Sequence, residues 1–161
     1  TIHTLTDQRG MLVQISQKCQ YSLRAVFELA RRWGEGPVRI ADVAEAQAIP
    51  LRFLEVILSQ LKQGGFVGSQ RGVRGGYTLI PDPSNLTVGE VVRFVEGPLN
   101  PVSCLRDGSH GECPLHGECV FMDMWRRVGQ AMAEVYDGMT FRDLVDEDAR
   151  RRTEYVQNYT I

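Results

Sequence analysis

The sequence contains no run of about 18 apolar residues, which is the length that a transmembrane helix requires. Residues 1–30 lack the basic, apolar and small-residue regions of a secretory signal peptide. A P-loop is missing, and so is any Ser/His/Asp or Cys/His arrangement typical of a catalytic nucleophile. These absences predict a cytoplasmic protein with no membrane partner and no enzymatic activity.

Net charge is also small, at −2, and averaged over the chain this argues against a nucleic-acid binder. The average conceals a split between two regions. Residues 11–80 carry nine Lys or Arg against five Asp or Glu, a charge of +4, whereas residues 81–161 carry eight against fourteen, a charge of −6. We therefore expect a polyanionic partner to bind the N-terminal region.

Apolar periodicity predicts short amphipathic helices and one hairpin. The predicted helices span residues 12–33, 39–47, 50–63, 87–95, 120–136 and 141–145, and the predicted strands span 66–71 and 77–80. Pro50 suits the first position of the third helix, because its missing N–H costs nothing there. Thr87 and Glu90 form a predicted capping box.

This order of elements predicts a mainly α fold with a small β-wing: a winged helix-turn-helix followed by a long C-terminal dimerisation helix. The predicted divisions of the chain are an N-terminal extension or cloning remnant at 1–10, the winged helix-turn-helix domain at 11–83, a linking helix at 84–97, a cysteine-rich sensor loop at 98–119, the dimerisation helix with a short helix at 120–146, and a polar tail at 147–161.

The third helix and the hairpin carry the candidate DNA-binding residues. On the third helix these are Arg52, Glu55 and Ser59, and on the hairpin they are Gln70, Arg71 and Arg74. A helix of this kind can enter the major groove, where a glutamate can accept a hydrogen bond from cytosine N4. The hairpin arginines could contact phosphates or the minor groove. The alternative is that these side chains are solvated surface charges and the hairpin is only a turn.

Cys104, Cys113 and Cys119 follow the spacing C-x8-C-x5-C, which differs from the paired C-x2-C of structural zinc sites. Three thiolates on a loop could hold an iron–sulfur cluster, which usually takes four ligands. The candidates for the fourth ligand are Cys19, Asp107, His110, His116 and Asp123. A zinc site, a thiol redox switch and unreactive loop cysteines are the alternatives.

Two further features have structural alternatives. Cys19 lies on the apolar face of the first helix, where it could simply be a small buried side chain. The helix at 120–136 has a broad apolar stripe and no partner within a small domain, which indicates a subunit interface. The stripe contains Phe121, Trp125, Val128, Met132 and Val135.

Four stretches followed by the cysteine loop resemble the Rrf2 family over residues 11–146. They are ISQKCQYSLRA at 15–25, IPLRFLE at 49–55, RGVRGGY at 71–77 and LTVGEV at 86–91. The resemblance implies a homodimeric winged-helix transcription factor that binds a double-stranded DNA operator. It implies a 2Fe–2S or 4Fe–4S cluster on Cys104, Cys113 and Cys119, and DNA reading by Arg52, Glu55 and Arg71.

The sequence departs from the family pattern at the fourth ligand. Some members have a histidine where this chain has Met122, and others have a carboxylate on the partner's first helix where it has Gln20. Cys19 is the neighbour of that second position and is a candidate ligand in trans. The alternative function is a cluster-free regulator that senses by thiol redox chemistry or a small ligand. A redox or cluster-transfer enzyme is a third, less favoured reading.

Overall fold

The structure is a computed structural model that describes residues 15–105, 115 and 118–158. Its elements are α1 (Gln17–Arg31), α2 (Ile40–Gln47), α3 (Leu51–Gln63), β1 (Val67–Gln70), β2 (Gly76–Leu79), α4 (Val88–Glu96), a 3₁₀ turn (Ser103–Leu105), α5 (Met122–Asp137) and α6 (Phe141–Asn158). This is the mainly helical fold with a small β-hairpin that the sequence predicts. Within the described residues, no helix is both long and apolar enough to cross a membrane.

Helix α1 is the centre of the fold, because α2, α3, α4, α6 and β2 all pack against it. It begins at Gln17, later than predicted, because the Ser16 hydroxyl caps it by accepting a hydrogen bond from the Cys19 N–H at 3.1 Å. Its buried face is built largely from small side chains, Ala25, Val26 and Ala30, which let the neighbouring helices approach closely.

Helices α2 and α3 form the helix-turn-helix. Ala48 ends α2 in the left-handed conformation with φ of 47°, and the buried Ile49 donates its N–H to the Ala44 carbonyl at 2.9 Å. Pro50 is the N-cap of α3 and not its first helical residue, so the helix begins at Leu51, one residue later than predicted. The amphipathic character predicted for the third helix is confirmed, since one face of α3 is buried through Leu54, Ile57, Leu58 and Leu61.

A buried carboxylate joins α1 to α2. The Glu28 side chain is fully buried and accepts hydrogen bonds from Arg31 at 2.8 Å, Arg32 at 2.7 Å and Gln47 at 2.9 Å. Burial alone would raise the pKa of the Glu28 carboxyl, but these hydrogen bonds outweigh it and hold the pKa below its ordinary value. Gln47 is the last residue of α2, so this contact sets where the helix-turn-helix lies on α1.

The start of α4 binds the junction between α5 and α6. The predicted capping box is confirmed: Glu90 N–H donates to the Thr87 hydroxyl, and Thr87 N–H donates to the Glu90 carboxylate at 2.8 Å. On either side of Thr87, the Val88 N–H donates to Met139 O and the Phe141 N–H donates to Leu86 O. Helix α6 therefore starts from a fixed point beneath α4.

The prediction that the last helix ends near residue 145 is wrong. Residues 147–158, predicted as a polar tail, continue α6 to Asn158. Ion pairs at helical spacing explain the continuation, because Arg150 and Arg151 bind Glu147 and Arg152 binds Asp148. Such a helix has little apolar periodicity, and periodicity was the only signal on which the predicted end depended.

Replacing Glu28 by Gln is expected to lower the free energy of unfolding at pH 7 by about 1–3 kcal/mol, because the guanidinium groups of Arg31 and Arg32 lose their charged acceptor. A carboxyl with a lowered folded-state pKa stabilises the fold above its ordinary pKa of 4.5, and this stability is lost as the pH falls through the folded-state pKa. The difference in the free energy of unfolding between wild type and Glu28→Gln, measured by urea unfolding, should therefore narrow below pH 4.5. The exposed Glu45→Gln is the control, and a constant difference across this range would contradict the assignment.

Candidate nucleic-acid interface

The outward face of α3 lies opposite its buried stripe. The predicted residues Arg52, Glu55 and Ser59 are all exposed there. Arg52, Val56, Ser59 and Gln63 recur at spacings of four, three and four residues, so they follow one line along the helix. Sequence reasoning missed Val56, which is 57% exposed in the middle of this line. Its spacing from Arg52 and Ser59 could have revealed it.

The hairpin of β1 and β2 is fixed against α3. Lys62 in the last turn of α3 donates a hydrogen bond to the Ser69 hydroxyl of β1 at 2.6 Å. The Phe66 N–H, just before β1, donates to the Leu61 carbonyl at 3.0 Å. Helix and hairpin can therefore approach a ligand as one rigid surface.

The tip of the hairpin presents its cations to solvent. The strands pair from Val67 opposite Leu79 to Gln70 opposite Gly76, and Gln70, Arg71 and Arg74 are exposed. Glycine is required at the base of the tip, because a Cβ at Gly75 would lie 2.2 Å from the Gln70 carbonyl oxygen. Hence the backbone folds tightly while the two arginine side chains extend outward.

A second contact anchors the hairpin to the rest of the fold. Val38 and Tyr77 exchange two backbone hydrogen bonds, each of 2.8 Å. A Cβ at Gly76 would lie only 2.4 Å from the Val38 carbonyl oxygen, so this close backbone approach requires glycine. The segment between α1 and α2 thus sets the angle of the hairpin.

This surface carries an excess of positive charge. From α3 to the end of β2 the charged residues are Arg52, Glu55, Lys62, Arg71 and Arg74. Within the described residues none of these three arginines forms an ion pair, whereas Arg39, Arg93 and Arg150 elsewhere all do. Guanidinium groups without carboxylate partners on such a rigid, exposed surface are suited to bind a polyanion.

The structure describes two of the three loop cysteines. Cys104 lies in the 3₁₀ turn and Cys119 lies just before α5, and both are half-buried free thiols. Cys113 lies outside the described residues, as do the other candidate ligands Asp107, His110 and His116. Asp123 is exposed and binds Arg126 at 3.1 Å. Among the residues that the structure does describe, no group of three metal-ligating side chains occurs.

The segment that leads to Cys104 is packed against α5. Pro101 is buried and lies against α5. A Cβ added at Gly129 of α5 would be 3.2 Å from the Cδ atom of Pro101. The Leu99 side chain packs against the core. The loop is therefore in direct contact with the helix that follows it.

Cys19 is completely buried at the N-terminal end of α1. Burial raises the pKa of its thiol to about 12, and the nearby negative charge of Glu96 and a hydrogen bond to that carboxylate add to the effect. Glu96 also accepts hydrogen bonds from the Ser16 N–H and hydroxyl. This environment keeps the thiol protonated and favours a packing role over ligation in trans.

Helix α5 has no buried residue. Its predicted interface residues face outward: Phe121 is 57% and Val135 67% exposed, Val128 is also exposed, and Trp125 and Met132 are half-buried. Val128, Met132 and Val135, with Ala131 and Tyr136, line an open groove of about 440 Å³. None of the residues that the structure describes covers this apolar helix face.

Comparison with known proteins places these features in context. A family model described as Rrf2, iron-dependent transcriptional regulator, matches residues 15–147. The chain is similar to the HTH-type transcriptional regulator CymR of Bacillus subtilis, with 37% identity over 132 residues that cover 82% of this chain and 89% of the relative.

Two solved structures are similar in fold and in sequence. One is CymR, titled the global cysteine regulator of B. subtilis, with a TM-score of 0.68, 36% identity and coverage of 83% of this chain and 97% of that one. The other is IscR of T. potens, also with a TM-score of 0.68, with 31% identity and coverage of 84% and 88%.

Proposed function

The chain belongs to the Rrf2 family of DNA-binding transcriptional regulators, and on this premise we propose that an iron–sulfur cluster held by the loop 98–119 controls its binding to a DNA operator. The observation that carries the proposal is the position of this loop. It connects the end of α4 to the start of α5, and its buried Pro101 lies against Gly129 of α5. A change in the loop can therefore reach the helix that we assign to dimerisation.

In the proposed complex, α3 enters the major groove of the operator and the hairpin contacts the backbone beside it. Arg52, Glu55 and Ser59 face the base edges, and Gln70, Arg71 and Arg74 extend from the hairpin toward phosphates or the minor groove. The Lys62–Ser69 hydrogen bond supports this mode of binding, because it fixes the distance between the two contact regions.

We assign the apolar face of α5 to a second copy of this chain. Two copies would place two α3 helices on one side of a dimer, as a two-fold symmetric operator requires. The support is the groove of Val128, Met132 and Val135, which nothing in a single chain covers within the described residues. If the full chain sediments as a monomer, and Val128→Asp leaves its sedimentation coefficient unchanged, this assignment is contradicted.

The donor set suits a cluster. Cys104, Cys113 and Cys119 would hold it, because soft thiolates are the ligands that iron–sulfur clusters take. Cys104 and Cys119 are free thiols and only half-buried, so both are accessible for ligation. When bound, the cluster would be the reactive group of the loop, and oxidation or nitrosylation would change it. We leave the fourth ligand open among Asp107, His110, His116 and Asp123.

The connection between α4 and α5 supports the transmission of this change. Arg93 of α4 binds Asp137, the last residue of α5, through two hydrogen bonds of 2.6 Å, which hold the pKa of Asp137 below its ordinary value. This clamp fixes the C-terminal end of α5 to the DNA-binding part. The N-terminal end of α5 follows Cys119, so the loop acts at the opposite end of the helix. The loop can shift the protein between two states only if the cluster favours one of them.

A cluster-free thiol sensor is the second candidate. It is favoured by the similarity to CymR, whose structure is titled a cysteine regulator, and by the half-exposed thiols of Cys104 and Cys119. In this case oxidation of the thiols would replace loss of the cluster as the signal. The fold, the DNA-binding surface and the dimer helix would keep the same roles.

Arg71→Ala is expected to weaken operator binding, since the variant loses a phosphate contact, and to lower the slope of log K against log salt by about 1. Glu55→Ala should chiefly relax sequence preference, because an acceptor for cytosine N4 is lost. Fluorescence anisotropy with selected and scrambled duplexes measures both effects. Arg152→Ala on α6 is the control for general loss of positive charge. If neither Arg71→Ala nor Glu55→Ala changes binding, the assigned DNA surface is wrong.

Anaerobically purified protein is expected to be coloured and to contain iron and acid-labile sulfide. Cys104→Ala, Cys113→Ala and Cys119→Ala should each lose most of the iron, because each substitution removes one of the three thiolate ligands that the loop supplies. Cys19→Ala should keep it, since that thiol is completely buried in the packing of its own chain. Visible absorbance with iron and sulfide analysis decides the question. A wild type that stays colourless after reconstitution would overturn the cluster, and thiol titration under peroxide would then test the thiol sensor.

A further inference from the structure

An apolar side chain occupies the middle of the proposed DNA-reading face. Val56 is 57% exposed although the core side of α3 is already filled by Leu54, Ile57, Leu58 and Leu61, all of which are buried. Val56 therefore contributes little to the core. It lies four residues after Arg52 and three before Ser59, between two polar side chains on the same line of the helix.

Phe53, the exposed aromatic residue three positions before Val56, packs against α1. Phe53 is 59% exposed, but its ring packs beside the Tyr21 ring of α1, with centroids 6.4 Å apart, and the Arg24 guanidinium lies 5.5 Å from the Tyr21 ring. Phe53 thus belongs to the edge that faces α1. Val56 is more than half exposed and, within the described part of the chain, is not among the side chains that pack against the core.

The surroundings of Val56 argue against a protein partner. A docking surface for a protein usually has a contiguous apolar patch. Here Arg52, Glu55 and Ser59 on the outward face are polar and exposed, and the exposed apolar neighbour Phe53 packs beside the Tyr21 ring, at the edge that faces α1. A single apolar group among hydrogen-bonding groups instead resembles the pattern of the major groove, where the 5-methyl group of thymine is the apolar feature among donors and acceptors.

We propose that Val56 determines specificity by packing against the 5-methyl group of a thymine in each operator half-site. This inference rests on the proposed function. A β-branched side chain in a helix has essentially one χ1 rotamer, so the two methyl groups of Val56 have fixed positions. The thymine should lie between the bases that Arg52 and Ser59 reach, because Val56 lies between those residues on the helix. A cytosine at the same position would place no methyl group against the valine.

The test uses deoxyuridine, which pairs as thymine does but lacks the 5-methyl group. Duplexes that bind the full-length protein are first selected from a random library. Each thymine of a selected duplex is then replaced singly by deoxyuridine, and affinities are measured by fluorescence anisotropy. Loss of the buried methyl contact should weaken wild-type binding about three- to fivefold at one position per half-site. All other thymines should tolerate the replacement.

Val56→Ala is expected to bind the thymine and the deoxyuridine duplexes equally while it still prefers the selected sequence. Because Val56 is exposed, this variant should fold as the wild type does. Phe53→Ala, a truncation on the same helix, is the matched control and should keep the discrimination. The proposal is overturned if no thymine is sensitive, or if the sensitivity persists in Val56→Ala. Selection that enriches no sequence at all would instead refute the proposed function.

Discussion

The fold depends on the burial of one helix. Helix α1 touches α2, α3, α4, α6 and β2, and its small side chains Ala25 and Ala30 leave room for all of them. The one charge on its buried face, Glu28, is satisfied by Arg31, by the C-cap residue Arg32 and by Gln47 of α2. Packing and this carboxylate together fix the helix-turn-helix, so α3 can present a rigid polar surface. The positions of Arg52 and Val56 relative to the hairpin follow from that rigidity.

The second constraint is the way in which α5 is connected to this core. Gly89 of α4 leaves space for the Asp137 carboxylate, since a Cβ there would lie 2.0 Å from its Oδ1 atom, and Arg93 binds that carboxylate. One end of α5 is thus clamped to the core, while the other end begins beside Cys119. Between the two ends, Pro101 of the loop lies against Gly129. Within our proposal, this geometry allows a change in the loop to alter the orientation of α5.

Local patterns predicted much of this architecture. The buried stripe of α3 and the Thr87–Glu90 capping box depend on residues within one or two turns, which a sequence displays directly. Helix α6 was cut short because its outer half is held by ion pairs rather than by an apolar stripe. Contacts between distant residues were not predictable, because the contacts of Glu28 with Gln47 and of Cys19 with Glu96 form only after the chain has folded. Val56 was missed because an apolar residue in a helix is ordinarily assigned to the core.

The central claim is that the state of the cysteine loop controls DNA binding. The most direct measurement is the anisotropy of a selected operator duplex titrated with two forms of one anaerobic preparation, one with its cluster and one after the iron has been removed by a chelator. The affinities of the two forms are expected to differ by at least about tenfold, which corresponds to roughly 1.4 kcal/mol of coupling. Superimposable titration curves, with the cluster shown to be present in one form and absent from the other, would contradict it.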